Sequence, residues 1–469
     1  MTFTATFSNA LSGLSASTLR AELLSFNIAN AQTANFARRE IAFVPVTPGG
    51  VRATGITRID AGRAEQQLLS ANNNAAGSSV RADALNAINE GFGTPEDPNG
   101  LYASFVRFDQ ALNDLRLTPE SGASQTALLR ASRDVAETFV QLDTEAQALR
   151  LEADRTIGRT VDRINDALVA LRDLNAEARR PRGVSIETVA ERQRALVLEI
   201  ADQIDISVDG NFGEALTIRT NGGFQLVGEE AAVLSFTPTG SIASNLTYAA
   251  GDLSGIFVNG REITPGLAQG LGDGALAAQF AIRDALVPEY TNRLNAAARD
   301  LVERTSVFST SPALGGLFVL DTGVTGDASR IRVNASVDPA QGGELFRLRD
   351  GVGATVPGPE GGDGLLGVLR TAIDAPRAVP AATQNASSYS YLDLLGAVST
   401  GLGTSALRGN GVRDASAQRA ETLDTEVNRR VSVDTDRELQ DLLLVEQAFA
   451  ANARVIQVAD DMLRQLLEF

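Results

Sequence analysis

The sequence predicts a mainly α protein with some β: paired terminal coiled-coil helices, a long helical-bundle domain, and a small inserted β domain. Three observations carry this. Apolar residues recur at heptad spacing at both chain ends. The stretch 127–180 has helical periodicity and contains no proline. Over 205–265 the composition shifts to Gly, Thr, Ser and alternating apolar residues. At about 100–200 residues per domain, 469 residues give two to four domains. The expected division is 1–70 with 430–469 as a terminal helical domain and extended arm. A mainly helical body follows from 71–204 with 266–429, and 205–265 is the β insert.

The first element spans about 5–32. Phe7, Leu11, Leu14, Ala21, Leu24 and Ile28 are spaced 4, 3, 7, 3 and 4, the a/d pattern of a coiled-coil seam. Gly13 reads as an interruption, costing about 1 kcal/mol relative to Ala. The helix ends in LLSFNIANAQTANFARRE, where Asn27 and Asn30 are placed to cap or hydrogen-bond its end. Residues 40–70 read as extended, with β-branched runs broken at Pro48, Gly49 and Gly50.

From Tyr102 to about Ile204 the chain reads as helix. Val135, Phe139, Leu142, Leu149, Ile157, Val161, Ile164, Leu168 and Leu171 recur mostly at threes and fours, too far along the chain for an ordinary globular helix. RRPRG ends it, and a second helix from Ser185 folds back antiparallel. In the β insert, Asn221-Gly222 between apolar runs is a hairpin signal. Helix resumes near Asp273, SRIRVNASV reads as a strand, and PGPEGGDG as a flexible loop. A last helical region runs from about Ser387 to Phe469, with breaks expected at Gly401–Gly411 and near Val433. Its end carries Leu442, Val445, Phe449, Asn452, Ile456, Ala459, Leu463 and Leu466, spaced 3, 4, 3, 4, 3, 4 and 3. A lone Asn at such a position lowers stability and fixes register. Two heptad helices at opposite ends of one chain are expected to pair as a stem.

Composition narrows the chemistry. The chain has no Cys, His, Trp or Lys. That removes disulfides, thiolate nucleophiles, imidazole bases and ligands, Schiff bases and a Walker A loop. A carboxylate-dependent hydrolase remains as an alternative, with no candidate constellation. Neither a catalytic residue, a cofactor site nor a metal site is assigned. The net charge of −17 and pI of about 4.6 disfavour nucleic acid and anionic membrane surfaces. No uninterrupted apolar run reaches the eighteen or so residues that span a bilayer, so no membrane insertion is expected. MTFTATFSNALSGL lacks the basic start and apolar core of a cleavable signal peptide. GLAQGLGDGA and GLGTSALRGNG read as loops and helix starts, and Glu229-Glu230 and Asp460-Asp461 as solvated pairs. Arg38-Arg39 reads equally as a contact patch or as a solubilising cluster.

NALSGLSASTLRAELLSFNIANAQTANFARRE is similar to the N-terminal signature of the bacterial flagellar rod, hook and hook-associated axial proteins, which have a helix, an N-I-A-N element and a Thr-x-Gly-Tyr-type turn. ELQDLLLVEQAFAANARVIQVADDMLRQLLEF resembles that family's C-terminal helix. Within the family, FARREI, the helical region from Asp273 and RIRVNASVDP…FRLRDG resemble its hook-associated protein 1 branch. The chain departs from the pattern at the turn, with Asn35 for the usual Gly and Phe36 for the usual Tyr. Asn tolerates φ > 0 better than other non-Gly residues, so the turn can survive.

The resemblance implies a structural, non-enzymatic protein of the extracellular flagellum, at the hook–filament junction. It implies export without a cleaved signal through the type III apparatus, with an export chaperone. It further implies closure with itself into a ring of about eleven subunits, between hook protein and hook-associated protein 3. The expected assembly interface is Phe7, Leu11, Leu14, Ala21, Leu24, Asn27, Ile28, Asn30, Asn35, Phe36 and Arg38 at the N-terminus. At the C-terminus it is Leu442 through Leu466 of the heptad series. A hook or distal-rod subunit is the nearer alternative.

Overall fold

The computed structural model describes residues 3–33, 36–47, 49–59, 61–180, 186–266, 270–309, 314–323 and 325–467. The chain enters through α1 (Phe3–Ala29) and forms an antiparallel hairpin of β1 (Arg39–Pro45) and β2 (Val51–Arg58). Helices α2 (Arg63–Phe92), α3 (Leu101–Leu117), α4 (Gly122–Ala178) and α5 (Ile186–Gln203) follow. Two three-stranded antiparallel sheets come next, β3 (Ile206–Asp209), β4 (Thr217–Thr220) and β5 (Gln225–Val227), then β6 (Leu234–Ser235), β7 (Phe257–Val258) and β8 (Arg261–Glu262). Helix α6 (Ala275–Ala281) runs through a π-helical turn, Ile282–Leu286, into α7 (Val287–Thr305). The chain then forms β9 (Phe318–Leu320), α8 (Asp327–Arg330), β10 (Ile331–Val333), α9 (Arg347–Asp350), α10 (Gly364–Asp374), β11 (Arg377–Ala378), α11 (Pro380–Thr383) and β12 (Ser388–Tyr389). It closes with α12 (Tyr391–Val431) and α13 (Thr435–Leu467).

The spine is α4. Ser121 caps it by accepting from the Ser124 amide at 3.2 Å. Its 57 residues extend about 85 Å at 1.5 Å per residue. That length exceeds one core, so α4 serves two. Its first half, with Leu128, Val135, Phe139 and Leu142, packs among α3, α7, α10 and the start of α12. Its second half, with Ile157, Val161, Ile164, Leu168 and Leu171, shares a core with α5, α6 and the strands through Val197, Ile200, Ile218, Leu226, Val258 and Ile263. Helix α5 folds back on it, and Gln193 donates to Asn175 at 3.1 Å across the pair. The Asn221-Gly222 hairpin forms between β4 and β5, with the Gly223 amide on the Thr220 carbonyl at 2.8 Å.

Three expectations are corrected. The extended segment stops at Arg58, and helix begins at Arg63 rather than near 70. Helix α2 is rich in Ala, Asn, Ser and Gly and shows no apolar stripe. Its helicity comes from tertiary packing of small residues: Ala71, Gly77, Ser78 and Ala82 are buried, and a Cβ on Gly77 would sit 2.8 Å from the Gly274 carbonyl oxygen. Helix α12 does not break at Gly401–Gly411. These glycines are points of close approach. A Cβ on Gly409 would meet Leu85 of α2 at 2.8 Å, and beside it Asn86 and Asn410 exchange amide hydrogen bonds at 3.1 and 3.0 Å. The break near Val433 is present, between α12 and α13. Of SRIRVNASV only Ile331–Val333 is strand, because Asp327 pairs with Arg330 to close a helical turn and Asn334 accepts from the Ser336 amide to start another.

The sheets are clamped to the spine by charge. Arg283, on the π-helical turn, pairs with Asp154 of α4 at 2.7 Å, both fully buried, and donates to the Ser254 carbonyl at 3.0 Å. Asp154 also accepts from the Thr239 amide at 2.6 Å. Arg150 donates to the carbonyls of Arg283, Ala243 and Leu246 at 2.8, 3.1 and 2.7 Å. Removing Asp154 leaves buried Arg283 with the carboxylate of Asp284 alone, at 2.8 Å, and the Thr239 amide without its acceptor. Asp154→Ala is expected to destabilise the protein by about 3–5 kcal/mol, read from denaturant unfolding, with the sheets exposed to protease first.

Candidate assembly interface: the terminal stem

Helices α1 and α13 pack along one another. The innermost line on α1 is Ala10, Ser17 and Leu24, at heptad spacing, followed by Asn27. On α13 it is Glu438, Val445, Asn452 and Ala459, also seven apart; all but half-buried Asn452 are buried. Small and polar residues thus share the centre of the pair with Leu23, Leu24 and Val445. A Cβ on Gly13 would lie 2.8 Å from Nδ2 of Asn452, so Gly13 is the seat of the Asn452 carboxamide and not an interruption of the helix.

The expected seam is offset from this line. Leu24, Val445 and Ala459 lie on it. Leu14, Ala21, Ile28, Leu442 and Ile456 are half-buried on its flank. Phe7, Leu11, Phe449 and Leu463 are exposed, Leu11 by 52% and Phe449 by 41%. The side chain of Leu466 and residue Asn35 lie outside the described residues. The outward apolar face continues through Leu19 and Phe26 on α1, and Leu439, Leu443, Leu444, Val455, Val458 and Met462 on α13. One 18-residue window within 391–465 has a mean hydropathy of 1.2 with only 11% of it buried, so α13 is more apolar than its run lengths suggest.

The hairpin leans on α1. Its tip brings Gly49 against Asn9 and Gly50, at φ 99°, against Ser12, whose hydroxyl accepts from the Val51 amide at 3.2 Å. Neither glycine has room for a side chain there.

At the base of the stem the two chain ends are joined by a buried polar contact. The Asn27 carboxamide donates to the Arg39 carbonyl at 2.9 Å and accepts from the Arg39 amide at 3.1 Å, as a neighbouring strand would. It also donates to Glu438 at 3.0 Å, and Arg38 donates to the other Glu438 oxygen at 2.6 Å. Asn27 and Glu438 are both fully buried. Arg39 lies over the rings of Phe26 and Phe36 at 4.5 and 5.1 Å and pairs with Glu191 of α5 at 3.1 Å, tying the stem to the body. The Arg38 amide donates to Val431 at 2.8 Å, and Ala37, Ala61, Ala64, Leu68, Val427 and Val431 form a small core beneath. Asn30 closes the helix end locally, donating to the Phe26 carbonyl at 2.9 Å. Asp434 starts α13 by accepting from the amides of Asp436 and Arg437.

Sequence reasoning missed Glu438, Glu191, Ala10 and Ser17, and left Arg39 open between a contact and a solubilising residue. The seven-residue series Glu438–Val445–Asn452–Ala459 was the available signal, hidden because its first member is charged. Among the described residues no group of three or more Asp or Glu is placed to hold a metal ion.

Paired chain ends, an outward apolar face and a long helical spine are the architecture on which the comparisons bear. The model of the flagellar hook-associated protein FlgK helical domain matches residues 85–308, and that of the flagellar basal body rod FlgEFG protein C-terminal matches 430–469. The chain is 23% identical over 502 aligned positions to flagellar hook-associated protein 1 of Bacillus subtilis, covering 94% of this chain and 93% of that one. It is 24% identical over 255 to flagellar hook-associated protein 1 of Salmonella typhimurium, covering 51% and 46%. The structure of the flagellar hook junction protein FlgK from Burkholderia pseudomallei aligns with a TM-score of 0.45 and 17% identity, over 55% of this chain and 47% of that one. The chain is thus similar to the flagellar hook-associated proteins of the FlgK type over its helical body and to the flagellar rod proteins at its C-terminal helix.

Glu438→Ala leaves Asn27 without one acceptor and Arg38 with Glu40 alone, at 3.1 Å. It is expected to cost about 1–3 kcal/mol locally, seen as faster amide exchange in α1 and α13 while α4 stays protected. Gly13→Val is expected to displace Asn452 and give the same pattern.

Proposed function

We propose that this protein sits at the hook–filament junction and joins hook to filament as a ring of subunits. In this reading the stem, 1–70 with 430–469, is the assembly domain. The body, 71–204 with 266–429, and the insert, 205–265, project from it. The observation that carries the reading is the apolar face left open on the outside of the stem. Each Leu or Phe that becomes fully buried contributes roughly 1.5–3 kcal/mol, and neighbouring stems supply the missing cover. Phe7, Leu11, Phe449 and Leu463 are then contacts between subunits, while Leu24, Val445 and Ala459 hold the pair together. Hook protein lies on one side and hook-associated protein 3 on the other. The chain reaches its place extracellularly through the type III apparatus, escorted by a chaperone and without a cleaved signal. Its role is structural and not catalytic.

Deleting the gene tests this. Bare hooks of normal length with flagellin shed into the medium are expected, whereas absent hooks would move the protein into the rod or hook. Phe449→Asp is expected to stop filament growth and leave the body folded by circular dichroism; normal motility would sink the assignment of Phe449 as a contact between subunits. In the isolated chain, amides of α1 and α13 are expected to exchange faster than those of α4, and to slow on assembly.

A further inference from the structure

Away from the stem, two clefts run together along α7. The larger, about 710 Å³, lies between α7, the 244–245 loop of the sheets, the 325–330 turn and α11. The smaller, about 390 Å³, lies between α7, α2 and α12. Glu289, Arg293 and Gln384 line both, so the two form one bent trough. Its cations are Arg150, Arg293, Arg299, Arg330, Arg81 and Arg408, against only Glu289 and Asp327 among its lining acids. This concentration of positive charge stands out on a chain of net charge −17.

The pairing inside the trough is incomplete. Asp327 is shared by Arg299 and Arg330, both at 2.6 Å. Glu289 is shared by Arg293 and Gln384, both at 2.6 Å. Arg150 meets only neutral oxygens. Arg81 reaches Asp273 at 3.5 Å. Arg293 is more than nine-tenths buried, and its Nε has no hydrogen-bond partner among the described residues. Arginine forks match carboxylates in a bidentate way, and Asn245, Asn292 and Gln384 can serve a peptide main chain. Tyr290 is the one aromatic residue in the lining, which does not make a stacking platform for bases. Val412, in the lining of the smaller cleft, and Leu407 next to it on α12 are exposed.

The chain itself carries a segment of the complementary chemistry. TVPGPEGGDG, residues 355–364, is exposed at all positions but Gly358 and offers Glu360, Asp363 and Val356, the last 71% exposed. A second acidic Pro/Gly loop, 94–100, is folded on itself, with Asp97 accepting from the Asn99 amide and Arg107 donating to the Pro98 carbonyl.

We infer that the arginine trough along α7 receives the acidic 355–364 loop of a second copy of this chain, as a lateral contact separate from the stem. The inference rests on the assembly reading above, and the two are separable by salt, because charge contacts are screened and apolar ones are not. The test uses full-length chains carrying Phe449→Asp, so that the stem face is disabled, followed by sedimentation velocity at low and high salt. Association at low salt, lost at high salt, is expected. A chain with Arg299→Glu and Arg408→Glu should sediment as a monomer, and so should a chain with Glu360→Arg and Asp363→Arg. Mixing the two should restore association, since each reversed trough then meets a reversed loop. Circular dichroism confirms that both fold. Monomers at every salt concentration, association that ignores the reversals, or no recovery on mixing would overturn the trough contact. Salt-resistant association of chains with Phe449 intact reads the stem separately.

Discussion

The carboxylate of Glu438 is buried between two partners from the other end of the chain, Arg38 and Asn27. Everything about the stem's placement follows from it. A buried charge must be satisfied, and this one is satisfied only when α1 has ended, the chain has turned into β1 and α13 has begun, all at one point. Asn27 enforces the same point from the neutral side by holding both backbone groups of Arg39. Arg39 then carries the constraint outward, through Phe26 and Phe36 to Glu191 on the body. Apolar surface could hold two helices together at several registers. A polar contact with fixed partners allows one.

The body uses the same device at a second place. Arg283 and Asp154 meet where the helical core gives way to the sheets, and the π-helical turn presents Arg283 to both. Because α4 passes through both cores without a break, the sheets belong mechanically to the helix that carries them, although their strands are short and their sheets have only three members.

Long-range periodicity was legible in the sequence. It placed α1, α4, α5, α7 and α13, the hairpin at Asn221 and the break at Val433, because each has an apolar repeat or a turn residue with a local physical effect. What stayed hidden were elements held from outside. Helix α2 has no stripe of its own, and the glycines of α12 weaken a helix in isolation while allowing α2 to approach. The stem shows a further limit. Heptad spacing identified the right helices and part of the inward side, at Leu24, Val445, Asn452 and Ala459, but missed Ala10, Ser17 and Glu438, because small and charged residues share the inner line with Leu24 and Val445 while Phe7, Leu11, Phe449 and Leu463 lie outside. Arg39 and Glu191 are 152 positions apart, and no local pattern announces such a pair.

The stem joins segments from opposite ends of the chain, with Asn27 and Glu438 separated by 411 positions. In time this becomes a waiting period. At about 5–20 residues per second of synthesis, α1 is complete roughly 20–80 s before α13 exists to cover it. A strongly apolar inner face would spend that interval exposed. Ala10, Gly13 and Ser17 make it a face with little to offer a wrong partner, and its grip appears only when Asn452 and Glu438 arrive to use it.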